Sequence, residues 1–207
     1  DTTVKIFGLP SMNQIDTVKF PTPVNYSALS PDGEYMACVG DNKLVYIYST
    51  SNGFSEVAQY DGALDSCMCC AWNASGTAFA AASQDGSVCV WETRMQRSLA
   101  RFNTSPCMSS SAPACRVVKF SSGSMDLMAF SEHVDRFHVV DARTFNSHQV
   151  VQVEPTTPAL AGYEHPISGL AFVEDGTRLF VGVEKVGLLE YSVNAHSRCS
   201  FGSGSLR

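Results

Sequence analysis

Apolar and polar residues alternate along this chain over short runs, and each run stops at a cluster of Ser, Asp, Asn, Gly or Pro. Alternation with a period of two predicts β-strands, and no stretch keeps the 3.6-residue period of a helix through three turns. From Val24 to Thr50 the pattern predicts strand VNYSALS, turn PDGE, strand YMACVG, turn DNK and strand LVYIYST. The same unit returns from Ser66 to Thr93 as SCMCCAW, NASG, TAFAAAS, QDG and SVCVWET. It returns again from Arg116 to Thr144 and from Ile167 to Val193. A fourth strand is expected after each copy, as SEVAQY, SLARF, SHQVVQV and, with weaker alternation, RCSFG. Ahead of the first copy, TTVKIFG and IDTVKF predict the last two strands of an earlier, incomplete unit.

Tyr48, Trp91, Val140 and Tyr191 align as the end of the third strand, at intervals of 43, 49 and 51 residues. A repeat of four short strands with polar turns cannot bury both faces of its own sheet, and stacking radially against neighbours solves that problem. The expected fold is therefore all-β: a β-propeller of four-stranded antiparallel blades. The boundaries are two outer strands of an incomplete blade at 1–23, then blades at 24–65, 66–115, 116–166 and 167–207. This makes about four and a half blades, read as part of a seven-bladed ring, with a five-bladed ring as the alternative. The chain begins at Asp1 without an initiator Met, in keeping with a processed or truncated piece of something longer.

The segment ASQDGSVCVWET, with Asp85 in the turn before the third strand and Trp91 closing that strand, resembles the WD-repeat family signature. YSALSPDG and SGLAFVEDG are similar to its usual strand and turn. The family often places Gly-His before the first strand, and here His165 in YEHPISGLAF matches while the second unit has about Asp65 at that place. The resemblance implies a chain of hydrogen bonds through His, Ser/Thr, Asp and Trp, complete in no unit of this sequence. Ser83, Asp85 and Trp91 are expected to retain part of it as structural residues. More narrowly, VGVEKVGLLEYSV and SRCSFG resemble fungal WD-repeat proteins, some of them similar to substrate receptors of a multisubunit ubiquitin ligase.

Composition narrows the function. A content of 44% apolar residues supports a folded core, while a net charge of −6 is the wrong sign for neutralising phosphates, so nucleic acid is not an expected partner. No uncharged apolar stretch approaches the roughly 18 to 20 residues that cross a bilayer, and neither a leader nor a membrane partner is expected. The eight cysteines sit mostly inside strand-like runs, which reads as reduced, buried thiols and a cytoplasmic or nuclear location. Cys67, Cys69 and Cys70 are dense enough to suggest soft-metal binding. Strand alternation, however, is expected to send Cys67 and Cys69 to one face and Cys70 to the other, which leaves no four convergent ligands. No metal or cofactor is expected.

Catalytic motifs are equally sparse: there is no GxSxG elbow, phosphate loop or GxGxxG turn. Glu190 is expected to point inward from the third strand of its blade and is the candidate for the alternative reading, a propeller enzyme of hydrolase or isomerase type with its site near the axis. The favoured reading is a non-catalytic propeller that binds a protein or peptide. In this architecture, the loops from fourth to next first strand and from second to third strand share one face. That assigns to one face Asp41, Asp61, Asp65, Asp85, Glu132, Asp135, Glu154, Glu164 and Glu184 against Lys43, Arg136 and Lys185. The expected contacts are Tyr163 as apolar anchor, Glu164 and His165 beside it, Glu132, His133 and Asp135 in the neighbouring blade, and Asp41 and Asp65 further round. The expected partner carries a basic segment or a free N-terminus, and the chain is expected to be a subunit of a larger complex.

Overall fold

The structure is a computed structural model, and it describes residues 1–104, 114–153 and 164–193. A hairpin of β1 (Thr3–Gly8) and β2 (Asn13–Lys19) comes first. The first full sheet is β3 (Val24–Leu29), β4 (Tyr35–Gly40), β5 (Leu44–Ser49) and β6 (Ser55–Asp61). The second is β7 (Cys67–Trp72), β8 (Ala78–Ser83), β9 (Ser87–Glu92) and β10 (Ser98–Asn103). The third is β11 (Cys115–Phe120), β12 (Leu127–Glu132), β13 (Arg136–Asp141) and β14 (His148–Gln152). The fourth has β15 (Ile167–Phe172), β16 (Arg178–Val183) and β17 (Gly187–Ser192), and the strand expected in RCSFG lies outside the described residues. Strands pair antiparallel in chain order within every sheet.

Sheets meet through their first strands: β3 touches β7, β7 touches β11 and β11 touches β15. Successive sheets therefore fan out from a common axis, which is the β-propeller arrangement. Apolar clusters fill the spaces between blades. Ile47, Tyr60, Phe79 and Trp91 lie between the first and second sheets, Val88, Val90, Val118 and Phe130 between the second and third, and Phe137, Leu170 and Leu179 between the third and fourth. Because a middle strand is covered on both faces, all six residues of β8 and all six of β12 are buried. Val18 and Phe20 cover Tyr46 and Tyr48 on the far side of the first sheet, with Phe20 and Tyr48 ring centroids 5.0 Å apart.

The repeat has a strict register. Tyr48, Trp91, Val140 and Tyr191 each occupy the fifth position of a six-residue third strand, opposite Met36, Phe79, Met128 and Leu179. First turns need a left-handed residue, supplied by Gly33, Gly76 and Gly176 at φ 74°, 70° and 71°. The third sheet makes this turn with a 3-10 segment, Gly123–Met125, followed by Asp126 at φ 45°.

Each first strand also has a register shift around its second residue, at Asn25, Met68, Arg116 and Ser168. An extra residue in one strand breaks simple alternation. As a result Cys67 and Cys70 face the space between the first two sheets while Cys69 faces the next, which corrects the expectation that Cys67 and Cys69 share a side. Around the axis, the Lys119 ammonium of β11 donates to the Tyr26 hydroxyl of β3 at 2.6 Å and lies 4.7 Å from its ring centroid, linking two blades that are not neighbours. The inward placement expected for Glu190 is also corrected. Glu190 is exposed, and its Oε1 accepts from Arg178 at 3.0 Å. It shares a face with exposed Leu188, and no further sheet covers that face among the described residues.

Candidate functional site

The loop face is built from the connections that precede each first strand and those that join second to third strands. In the second blade the turn Gln84–Gly86 is held by Asp85. Its Oδ1 accepts from the Ser87 amide at 2.8 Å and hydroxyl at 2.6 Å, and its Oδ2 accepts from the Leu64 amide at 2.8 Å and from Arg101 at 3.2 Å. Burial pushes the Asp85 carboxyl up, but these donors outweigh it and hold the group below the usual carboxylate range. Gly86 closes the turn at φ 83°. The Ser83 hydroxyl accepts from the Asp85 amide at 3.3 Å and donates to the carbonyls of Asp65 and Ser66 at 3.2 and 3.3 Å. Trp91 is fully buried and stacks on Phe79 at 5.4 Å, and its Nε1 has no acceptor among the described residues. Where a histidine side chain would reach the turn aspartate, the Leu64 backbone does so.

Gly62 begins this loop against the indole. A Cβ there would sit 2.8 Å from Trp91 Cζ2, closer than carbon atoms pack, so the chain can pass only as glycine without shifting the ring. The passage delivers Leu64 to the surface, where it is 80% exposed although large and apolar. Asp61 and Asp65 flank it along the chain and Asp41 stands by the start of β7, all three exposed. Asp41 Oδ1 accepts from Asn25 Nδ2 at 2.9 Å, and the same amide donates to the Cys67 carbonyl at 3.1 Å, which ties the first blade's loop to the start of β7. Asp61 pairs with Lys43 at 2.8 Å, both more than half exposed, an arrangement of little energetic weight. Asp41 and Asp65 have no ion-pair partner among the described residues.

The third blade uses its acids differently. Glu132 is 6% exposed, and its Oε1 meets His138 Nε2 at 2.9 Å. The His138 ring stacks on Phe130 at 4.2 Å and lies 5.8 Å from His148. Burial, and then the neighbouring His138, push His148 below the usual histidine range. Asp135 occupies the left-handed region at φ 61°, and its Oδ1 accepts from the His165 amide at 2.8 Å and faces His165 Nδ1 at 3.0 Å. Asp135 and His165 also exchange a backbone bond at 3.0 Å, while the His133 carbonyl accepts from the Ile167 amide at 3.0 Å. Asp135, the His133 carbonyl and buried His165 thus help to join the third blade to the fourth, while Glu132 is held within the third. Glu164 and Glu184 remain exposed, whereas Tyr163 and Glu154 lie outside the described residues.

Sequence reasoning missed two contributors. Leu64 was legible as a large apolar residue inside the polar stretch YDGALDS. Arg101 was not, because it belongs to the outer strand β10 and reaches this face only by its length. The cysteines beneath are buried thiols. Burial pushes Cys38 and Cys67 up to about 12, and for Cys67 the neighbouring Cys89, Asp85, Asp61 and Asp65 add to the rise. Cys70 and Cys115 are raised by the same cause. Since the thiolate is the nucleophile, Cys38, Cys67, Cys69, Cys70, Cys89 and Cys115 are expected to stay unmodified by iodoacetamide at pH 8 and to react only on unfolding. Mass spectrometry of the alkylated peptides checks this. Among the described residues no group of three or more His, Cys, Asp or Glu side chains converges as a metal site would require.

Comparison with known proteins matches residues 54–92 to the family described as WD domain, G-beta repeat, and residues 113–152 to an uncharacterised protein domain, DUF2415. The uncharacterized protein C4G3.03 of Schizosaccharomyces pombe is 28% identical over all of this chain and 60% of its own length. The human serine-threonine kinase receptor-associated protein is 26% identical over 40% of the chain and 23% of its own length. WD repeat-containing protein 1-B of Xenopus laevis is 36% identical over 31% of the chain and 10% of its own length. This chain therefore spans less than two thirds of each. The β-propeller domain of Cps50 (Swd1) from Myceliophteria thermophila superimposes with a TM-score of 0.69 at 14% identity, over 83% of this chain and 52% of the other, a likeness of fold.

Proposed function

We propose that this chain, a WD-repeat β-propeller, is a non-catalytic interaction scaffold that holds a protein partner on the loop face around Leu64. One observation carries the reading: a large apolar side chain stands 80% exposed on a backbone fixed by Asp85, in the company of Asp41, Asp61 and Asp65. Buried apolar anchors supply most of the affinity of an interface, and charges at its rim act on encounter rate and specificity. The acids call for a partner segment rich in Lys or Arg, or a free chain N-terminus. WD-repeat propellers generally bind proteins within complexes, and the resemblance to fungal substrate receptors extends the proposal to a ubiquitin ligase assembly.

The test is association kinetics between the full-length protein and a partner captured with it. Leu64→Ala is expected to speed dissociation about tenfold or more, as loss of a buried anchor does. Asp41→Asn with Asp65→Asn is expected to slow association and flatten its dependence on salt, screened over roughly 8 to 10 Å. A partner indifferent to both changes would sink the proposal.

A further inference from the structure

A recess opens between the first and second blades at the end of the strands opposite the loop face. Its volume is about 520 Å³, within the few-hundred to thousand Å³ range of ligand sites. Tyr60, Trp72 and Phe79 form its wall, exposed Tyr35 and Val57 its lip, and Arg94 stands at its mouth. The wall is rigid. Tyr60 donates to the Thr93 carbonyl at 2.9 Å, Trp72 Nε1 to the Ala28 carbonyl at 3.1 Å, and the Phe79 ring sits 4.8 Å from Tyr60 and 5.1 Å from Trp72. Polar groups of the wall are thus satisfied internally; Phe79 is wholly buried behind Tyr60 and Trp72, so an occupant would meet the edges of those two rings together with exposed Tyr35 and Val57.

Charge at the mouth selects the occupant. Arg94 is exposed and has no carboxylate within ion-pair distance among the described residues, and exposed Arg97 follows three positions on, likewise without one. The acid in the lining, Asp32, is tied to its own turn: its Oδ1 accepts from the Ser30 hydroxyl at 2.5 Å and the Glu34 amide at 3.0 Å. A guanidinium beside an aromatic recess suits a carboxylate that arrives together with an aromatic ring.

We propose that this recess is a second docking site, distinct from the loop face, for a segment of a partner protein that inserts an aromatic side chain between the blades and sets an adjacent Asp or Glu against Arg94. The two ends of the strands would then take segments of opposite charge.

The experiment displays two peptide pools to the full-length protein, ten residues long and random except at the centre, where one pool fixes an aromatic residue followed by Asp or Glu and the other an aromatic residue followed by Lys or Arg. Peptides from the acidic pool are expected to enrich and to change tryptophan fluorescence, read on Trp72, which lines the recess, whereas Trp91, the other tryptophan, does not. Arg94→Glu is expected to weaken the enriched peptides about tenfold and Val57→Asp to abolish their binding, with the melting temperature of both variants unchanged because both sites are exposed. Leu64→Ala should leave peptide binding intact, which separates this site from the loop face. Failure of the acidic pool to outperform the basic one, or binding indifferent to Arg94→Glu, overturns the proposal. Concentration-dependent self-association abolished by Arg94→Glu would assign the recess to a second copy of the chain and overturn it equally.

Discussion

Trp91→Ala is expected to destabilise the protein by about 3 to 5 kcal/mol, the usual cost of emptying a fully buried aromatic site. Trp91 is the hub of the space between the first two blades, stacked on Phe79, 6.1 Å from Tyr60 and in contact range of the Gly62 backbone. Its Nε1 has no described acceptor, so the loss is one of packing. Denaturant unfolding of wild type and variant measures it. A change under about 1 kcal/mol would mean that the second blade is not packed around this residue.

Glu132→Ala is expected to cost about 3 kcal/mol, because truncating one member of a buried pair strands the other. His138 Nδ1 already lacks a partner, and the substitution would remove the acceptor of Nε2 as well. Glu132→Gln keeps an oxygen at that place and should recover most of the stability. Partner association should be unaffected by Gln, since the side chain is 6% exposed and does not reach the surface where a partner arrives. Unfolding curves and association rates of the two variants separate this structural role from a binding role: equal stability with slowed association would contradict it.

How far the sequence reveals such roles depends on which physical rule governs a position. Strand order and the place of the large apolar residue near the end of each third strand were legible because polar turns punctuate the chain and because Tyr48, Trp91, Val140 and Tyr191 obey one register. The facing of the three cysteines in β7 was not, since a bulge at Met68 inserts a residue that no alternation count can see. Charge told the composition of the loop face but not its use. Asp85, Glu132 and Asp135 are acids like Asp41 and Asp65, yet they spend their oxygens on a turn, a buried histidine and a neighbouring blade. Only the backbone path decides this, and that path depends on contacts made far along the chain. Lys119 with Tyr26 is the extreme case, two residues 93 positions apart that meet because the axis brings their blades round.

Hydrogen exchange of the full-length protein, alone and saturated with its captured partner, tests the loop-face claim most directly. Slowed exchange is expected at backbone amides 62–66 and 41–43, the segments that carry Leu64, Asp65 and Asp41. Exchange at those segments unchanged by a saturating partner would contradict it.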